Sequence, residues 1–162
     1  MPFRTKTTRR LDDPPVPVQT KLAATWTSLM FLVIYIDYFH LYQPGEIDRI
    51  RGGVIFEFDI SASLMSAFFA TIAIPALMIV LSVALPARVN RAANLVVASL
   101  YIPIMVFNAA GASSDYALYY VLTIGVEVLL LGSIVRAACT WPRISATPAG
   151  HALTDARHPV HP

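Results

Sequence analysis

One acidic residue stands in an apolar segment where charge is costly. Glu127 is the single charged residue in the segment 116–135. At ~1.5 Å per helical residue it would lie near the middle of a membrane-spanning helix, where a carboxylate costs roughly 2.5 to 3.5 kcal/mol to insert. Tyr116, Tyr120 and Thr123 precede Glu127 at spacings of 4, 3 and 4, so these residues share one helix face. They predict a polar stripe that leads to the carboxyl group.

The pattern around Glu127 supports two interpretations. In the functional one, Glu127 exchanges a proton or binds a cation, with or without Asp37. In the structural one, Glu127 stays protonated and hydrogen-bonds a neighbouring helix as packing. Asp37 lies three residues before His40 near the end of an apolar segment, where contact with water and the imidazole is the simpler interpretation. The candidate proton or ion site comprises Glu127, Thr123, Tyr120 and Asp37.

A second polar group, made of Asn90, Arg91 and Asn94, stands where the third apolar segment begins. Asn90 or Asn94 could cap a helix there, and Arg91 could hold a lipid phosphate. Plain topological anchoring of the helix is the alternative. These three residues are the candidate headgroup or capping group.

The composition excludes several classes of site. Of the 162 residues, 56% are hydrophobic and 14% are charged, whereas soluble domains carry about a quarter charged residues. Cys139 is the single cysteine, so one chain cannot form an internal disulfide or a thiolate zinc site. Only one of the four histidines, His40, lies near an apolar segment, which argues against a bis-histidine haem. We expect no catalytic residues, no metal, no cofactor, no nucleic-acid partner and no enzymatic activity.

Four segments are long and apolar enough to cross a ~30 Å hydrocarbon layer, which needs about 20 residues. They are residues 22–42, 62–86, 92–110 and 116–136. Pro75, in the second segment, removes one backbone hydrogen bond and frees a carbonyl near Thr71 that needs another partner. The predicted fold is all-α: an up-down bundle of four transmembrane helices.

The positive charges predict how this bundle is oriented. Ten of the twelve lysines and arginines lie in the two tails and in the connection between the second and third segments. Only Arg49 and Arg51 lie on the opposite side. This asymmetry predicts that both termini are cytoplasmic in a multi-pass protein of the cell (inner) membrane. Residues 1–20 are predicted as a flexible leader, 21–143 as the membrane domain and 144–162 as a disordered tail.

Small residues recur in two of the segments. Ala62, Ser66 and Ala70 are four apart, and Gly125 and Gly132 are seven apart. Such stripes let helices approach closely. Packing within one bundle is the simpler interpretation, and a dimer interface is the alternative.

Several short runs resemble a known family. They are Ile74-Pro75 to Ser82, Asn90-Arg91-Ala92-Ala93-Asn94, Tyr119-Tyr120 with Glu127, and Thr140-Trp141-Pro142. The chain from about Lys21 to Pro142 is similar to a family of small bacterial four-helix integral membrane proteins of unknown function. The resemblance implies the fold and topology and brings no assigned activity. The family pattern has a glutamate two residues before the proline, where this chain has Ala73, which weakens the idea of two cooperating buried carboxylates.

A membrane enzyme acting on lipid or quinone is the least favoured function, because the sequence has no paired histidines, paired cysteines or carboxylate cluster. Two other functions remain open from the sequence. One is a small proton- or ion-coupled transporter or channel-like protein that acts as a homo-oligomer in the lipid bilayer and uses Glu127. The other is a non-catalytic structural or regulatory membrane protein that binds partner helices, in which Glu127 only packs. They differ in whether Glu127 titrates and is reached by water.

Overall fold

The computed structural model of the protein describes residues 14–108 and 114–142. Its long helices are α1 (Val18–His40), α3 (Ala62–Ala84), α4 (Ala87–Asn108) and α5 (Ala117–Cys139), and its shorter elements are helix α2 (Glu46–Arg51), strands β1 (Val54–Ile55) and β2 (Phe58–Asp59), and a 3-10 turn (Ser114–Tyr116). All four long helices are long and apolar enough to cross a membrane. The predicted four-span, mainly helical architecture is confirmed, and it indicates a multi-pass membrane protein.

Side-chain contacts show how the long helices run relative to one another. Tyr119, near the start of α5, donates a hydrogen bond to the carbonyl of Ile36, near the end of α1 (3.2 Å), so these helices are antiparallel. Helix α5 packs against both α1 and α4, and α1 also packs against α3, while α3 and α4 make a smaller contact. We call the end of the bundle that carries residues 41–61 the loop end, and the opposite end, with the short link between α3 and α4, the turn end.

The helix boundaries differ from the predicted ones by a few residues. Helix α1 spans 18–40 rather than 22–42, so the end of the predicted leader is already helical. Helix α5 continues to Cys139 rather than 136. Residues 109–110, the predicted end of the third span, lie outside the described part of the chain, as do 1–13 and the predicted tail 144–162.

The largest boundary difference is at the start of α4, which begins at Ala87 instead of residue 92. Helix α3 ends at Ala84, and the backbone of the next residue, Leu85, is extended (φ −77°, ψ 147°), because the residue before a proline is biased away from helical geometry. The Pro86 carbonyl then accepts from the amide of Asn90 (2.9 Å) and starts α4. A membrane-spanning helix can include charged residues near its end, because the long side chains of arginine reach the aqueous interface.

The capping role predicted for Asn90 or Asn94 is therefore wrong. Both lie inside α4, since the helix starts three residues before Asn90. Both side chains are also fully buried. Arg91 is half-buried on the same helix, and its contact with a lipid phosphate stays a prediction.

The two asparagines belong to a buried group that we call the asparagine cluster: Trp26, Ser82, Asn90 and Asn94. Trp26 Nε1 donates to Asn94 Oδ1 (2.7 Å), and Asn94 Nδ2 donates to Asn90 Oδ1 (2.7 Å) and to the Asn90 carbonyl (2.9 Å). Asn90 Nδ2 donates to the Ser82 carbonyl (2.6 Å). The cluster joins α1, α3 and α4 at the turn end through hydrogen bonds that leave its amides satisfied.

Apolar side chains fill the space next to the asparagine cluster. Leu22 and Leu29 of α1 and Leu131 and Ile134 of α5 are almost completely buried, and Met78 of α3 is 2% exposed. The outward faces of the helices carry large exposed apolar residues instead, as expected for surfaces that face lipid. The turn end is thus a packed seal between the helices.

The small-residue stripes lie on these outward faces. Ala62, Ser66, Ala70, Gly125 and Gly132 are all exposed, and a Cβ atom added at either glycine would meet no atom within 4 Å. Packing within the bundle, the simpler interpretation of these stripes, is wrong.

We expect Asn94→Leu to lower the free energy of unfolding by about 1 to 2 kcal/mol, because the Trp26 indole N–H and the Asn90 amide oxygen lose their buried partner. Unfolding in mixed micelles, followed by circular dichroism, measures this. Ser28→Ala is the matched control, since the Ser28 hydroxyl is exposed and bonds the carbonyl of its own helix at Ala24. An equal, negligible effect of both substitutions would show that the cluster does not stabilise the bundle.

Candidate functional site

A cavity of about 490 Å³ lies among the four long helices toward the loop end. Each long helix contributes lining residues, and Ile50, Ile55 and Phe56 contribute from the segment between α1 and α3. The lining is mostly apolar, with a small number of polar groups. This combination of a large apolar surface and few polar groups is typical of small-molecule sites. We call it the loop-end cavity.

Glu127 lines this cavity from α5. It is the eleventh of the 23 residues of α5, which at ~1.5 Å per residue places it near the middle of a membrane-spanning helix. The residue is only 5% exposed, and within 14–108 and 114–142 no group hydrogen-bonds its carboxyl oxygens. The polar partner that a packing role requires is therefore not supplied by the described residues.

The structure brings all four residues of the predicted proton or ion site into the loop-end cavity. Asp37, Tyr120 and Thr123 line it together with Glu127. Thr123 Oγ1 donates to the Tyr120 carbonyl (3.1 Å), which holds this hydroxyl on its own helix. Tyr116, also predicted for the stripe, does not line the cavity, because the chain there forms a 3-10 turn and α5 begins only at residue 117. Although this chain has Ala73 where the family pattern has a glutamate, two carboxyl groups, those of Asp37 and Glu127, line the same cavity.

His40 was not among the predicted site residues, but it lines the loop-end cavity. Its Nδ1 atom lies 3.2 Å from the hydroxyl of Tyr120, and its Nε2 atom lies 3.3 Å from a carboxylate oxygen of Glu46. The imidazole also stacks on Phe56, with ring centroids 5.2 Å apart. His40 thus connects α1 to α5 and to α2. In the sequence, only its three-residue spacing from Asp37, which places the two residues on one helix face, indicated that His40 lies near the site.

The segment between α1 and α3 folds over the mouth of the cavity. Glu46 is 9% exposed and pairs with Arg49 (3.2 Å), whose guanidinium also bonds the carbonyl of Phe56. Gln43 Nε2 donates to the Tyr120 hydroxyl (3.4 Å). These contacts hold α2 and the β1–β2 hairpin, with Ile55 opposite Phe58, against the bundle. The segment therefore forms part of the cavity wall.

The carbonyl that Pro75 was predicted to free has a partner. Pro75 lacks the N–H that would bond the Thr71 carbonyl, and the Tyr101 hydroxyl of α4 donates to that carbonyl at 2.7 Å. Tyr101 is 4% exposed and packs edge-on against Trp26, with centroids 6.4 Å apart. The predicted need for a partner is confirmed, and Tyr101 holds α3 and α4 together where both line the cavity.

The second candidate group lies elsewhere. Asn90, Arg91 and Asn94 are at the turn end and do not line the loop-end cavity. In the described ranges 14–108 and 114–142, no three His, Cys, Asp or Glu side chains gather as metal ligands. The chemistry available in the cavity is therefore that of carboxyl, phenol, hydroxyl and imidazole groups.

One protein family, described as a family of unknown function (DUF6326), matches residues 17–147 of the chain. This match covers most of the chain and includes all four long helices. No curated protein and no solved structure matches the chain. The family resemblance seen in the sequence is confirmed, and it carries no activity with it.

We expect Tyr101→Phe to lower the free energy of unfolding by about 1 kcal/mol, because the Thr71 carbonyl loses its partner inside the bundle. The same substitution in a Pro75→Ala background should cost less, since the alanine N–H restores the helical bond to that carbonyl. Unfolding of the four variants in mixed micelles forms a double-mutant cycle. Equal costs of Tyr101→Phe in both backgrounds would contradict the assignment.

Proposed function

The chain belongs to a family of unknown function, DUF6326, and we propose that it is a small proton- or ion-coupled membrane transporter whose exchanging group is Glu127. The observation that carries the proposal is the buried Glu127 side chain, which pairs with no group in the described part of the chain and lies in the wall of a cavity of about 490 Å³. A carboxyl group at this depth costs several times the thermal energy to keep. Exchange of a proton or cation with the cavity would account for a carboxyl group at this position.

The polar groups above Glu127 support a route between it and the loop end. Thr123 and Tyr120 follow the same face of α5, and Tyr120 contacts His40, which in turn lies beside Glu46. The other titratable residues that line the cavity are Asp37, Tyr38, Tyr101 and Tyr119. Such a series of hydroxyl, imidazole and carboxyl groups can pass a proton or orient water.

The opposite direction is closed. Beyond Glu127 toward the turn end, Leu131 and Ile134 of α5 pack against Leu29 and Met78, and the asparagine cluster ties the helices together. A site that lies toward one end of the bundle and is sealed from the other is typical of one state of an alternating-access cycle. We therefore interpret the structure as a state in which Glu127 faces the loop end beneath its covering segment, with both termini cytoplasmic and the loop end on the outside of the cell (inner) membrane.

The transporter is proposed to work as a homo-oligomer, because four helices are few for a pathway that must open on both sides. The small-residue stripes on α3 and α5 support this, since they face away from the bundle, where another helix can approach closely. The lipid bilayer covers the remaining apolar faces. The proposal gives the chain no enzymatic activity and no cofactor.

The same outward stripes favour the alternative function, a structural or regulatory protein that binds the helices of other membrane proteins. In that case Glu127 would contribute to folding alone. The two functions differ in the effect of Glu127→Gln, which keeps the shape of the side chain and removes its charge.

We expect reconstituted wild-type protein to bind and release a proton when the external pH changes, and Glu127→Gln to remove this exchange. A pH-sensitive dye in liposomes measures it. Glu57→Gln is the matched control, because the Glu57 side chain is 93% exposed outside the cavity. It should leave the exchange unchanged.

Unfolding of the Glu127→Gln variant in micelles separates the two functions. The transporter account expects a change within about 0.5 kcal/mol, because the carboxyl has no described partner to lose. Unaltered proton exchange together with a stability loss of about 1 kcal/mol or more would support packing and contradict transport.

The proposed orientation predicts that Cys139, exposed at the end of α5, reacts with a membrane-impermeant maleimide only after cells are permeabilised. In a Cys139→Ser background, Glu57→Cys should instead react in intact cells, because residue 57 belongs to the outward loop end. Labelling of Cys139 in intact cells would reverse the orientation.

A further inference from the structure

The loop-end cavity has a charge imbalance that selects among ligands. Asp37 and Glu127 both line it, and none of the described lining residues is a lysine or arginine. The cavity's one histidine, His40, already has a carboxylate 3.3 Å away, that of Glu46. Within 14–108 and 114–142, neither Asp37 nor Glu127 forms an ion pair. A buried charge without a partner, such as that of an ionised Glu127, is stabilised most by a ligand that brings the opposite charge.

The apolar part of the lining excludes a bare metal ion as the best fit. Hard cations such as Ca²⁺ need six or more oxygen ligands, and Mg²⁺ retains several waters. The cavity instead presents carbon surface from residues such as Ile36, Ile72, Ile104 and Met105 around the two carboxyl groups. The walls therefore fit a ligand whose own surface is largely apolar.

Aromatic side chains also line the cavity. Tyr101, Tyr119 and Tyr120 line the cavity from α4 and α5, and Phe56 and Phe68 line it from the loop end and α3. The faces of aromatic rings attract organic cations. The volume of about 490 Å³ also lies within the range of ~300–1,000 Å³ that holds drug-sized molecules.

We propose that the loop-end cavity binds a lipophilic organic monocation, such as an amine or onium ion, with its positive centre at Glu127 and Asp37 and its apolar body against the aromatic and aliphatic walls. This names the substrate class of the transport site and rests on the proposed function for the translocation step. A proton and the cation would then compete for Glu127. That competition couples entry of one to exit of the other without any further group.

Tetraphenylphosphonium is a suitable probe, because tetraphenylborate has the same shape with the opposite charge and tetramethylammonium has the charge with little apolar surface. Equilibrium dialysis with the full chain in micelles, against empty micelles, measures binding. We expect saturable binding of tetraphenylphosphonium alone among the three. Glu127→Gln and Asp37→Asn should each weaken it about tenfold or more, and the exposed Glu57→Gln should not.

Binding of tetraphenylborate as tight as that of the phosphonium, or equal phosphonium binding by wild type and both carboxyl variants, would overturn the proposal. Gel filtration and micelle unfolding of each variant identify one that has not folded. Asp37→Asn provides the second test, because Asp37 is exposed in the cavity and not part of the packed core.

Proton exchange measured on the same preparations without phosphonium separates the two proposals. Exchange that depends on Glu127 without phosphonium binding would keep the transporter and overturn the substrate class. Phosphonium binding without proton exchange would keep the cation site and overturn proton coupling.

Discussion

A carboxyl group in the middle of an apolar helix must find a polar partner or line a cavity that water or a ligand can enter, and the rest of this structure depends on how Glu127 meets that requirement. The described helices supply no partner and place the side chain in a cavity wall. A carboxyl that only held helices together would be expected to hydrogen-bond across an interface. The absence of that bond among the described residues makes the cavity, rather than packing, the setting of Glu127.

The two halves of the bundle differ in a way that supports this setting. At the turn end, apolar side chains and the asparagine cluster fill the interior, and every hydrogen bond of the cluster joins groups that are fully buried. At the loop end, polar contacts such as those of His40 and Gln43 lie at the cavity edge and hold a cover over it. Between them, the bond from Tyr101 to Thr71 stabilises the wall at the Pro75 interruption. The sealed half anchors the half that contains the cavity.

The number and positions of the spans could be predicted because each depends on a local run of apolar residues. The need for a partner at Thr71 was also local, since it follows from the missing N–H of Pro75. The grouping of Glu127, Thr123 and Tyr120 follows from helical spacing alone. Asp37 joined them only as a candidate, because its place in the same cavity depends on how α1 packs against α5.

Features that depend on pairs distant in the chain were missed. Asparagine is a residue type common at helix caps, which suggested that role for Asn90 and Asn94. Their buried role depends on the hydrogen bond from Trp26, which is 68 residues from Asn94 in the chain. His40 was considered only as a neighbour of Asp37, because its partners Tyr120 and Glu46 lie on other elements. The sequence also did not show that the small-residue stripes face outward, because spacing indicates which residues share a helix face and not what that face contacts.

The most direct test of a cavity that reaches Glu127 from one end compares the thiol reactivity of two positions that flank it on α5. In a Cys139→Ser background, the account predicts that Thr123→Cys reacts rapidly with a small water-soluble thiol reagent in reconstituted vesicles. Leu131→Cys, about one turn beyond Glu127 in the fully buried core, should react far more slowly. Equal protection of both positions would contradict the account, because it would show that the polar stripe is sealed from water and that Glu127 is a packing residue.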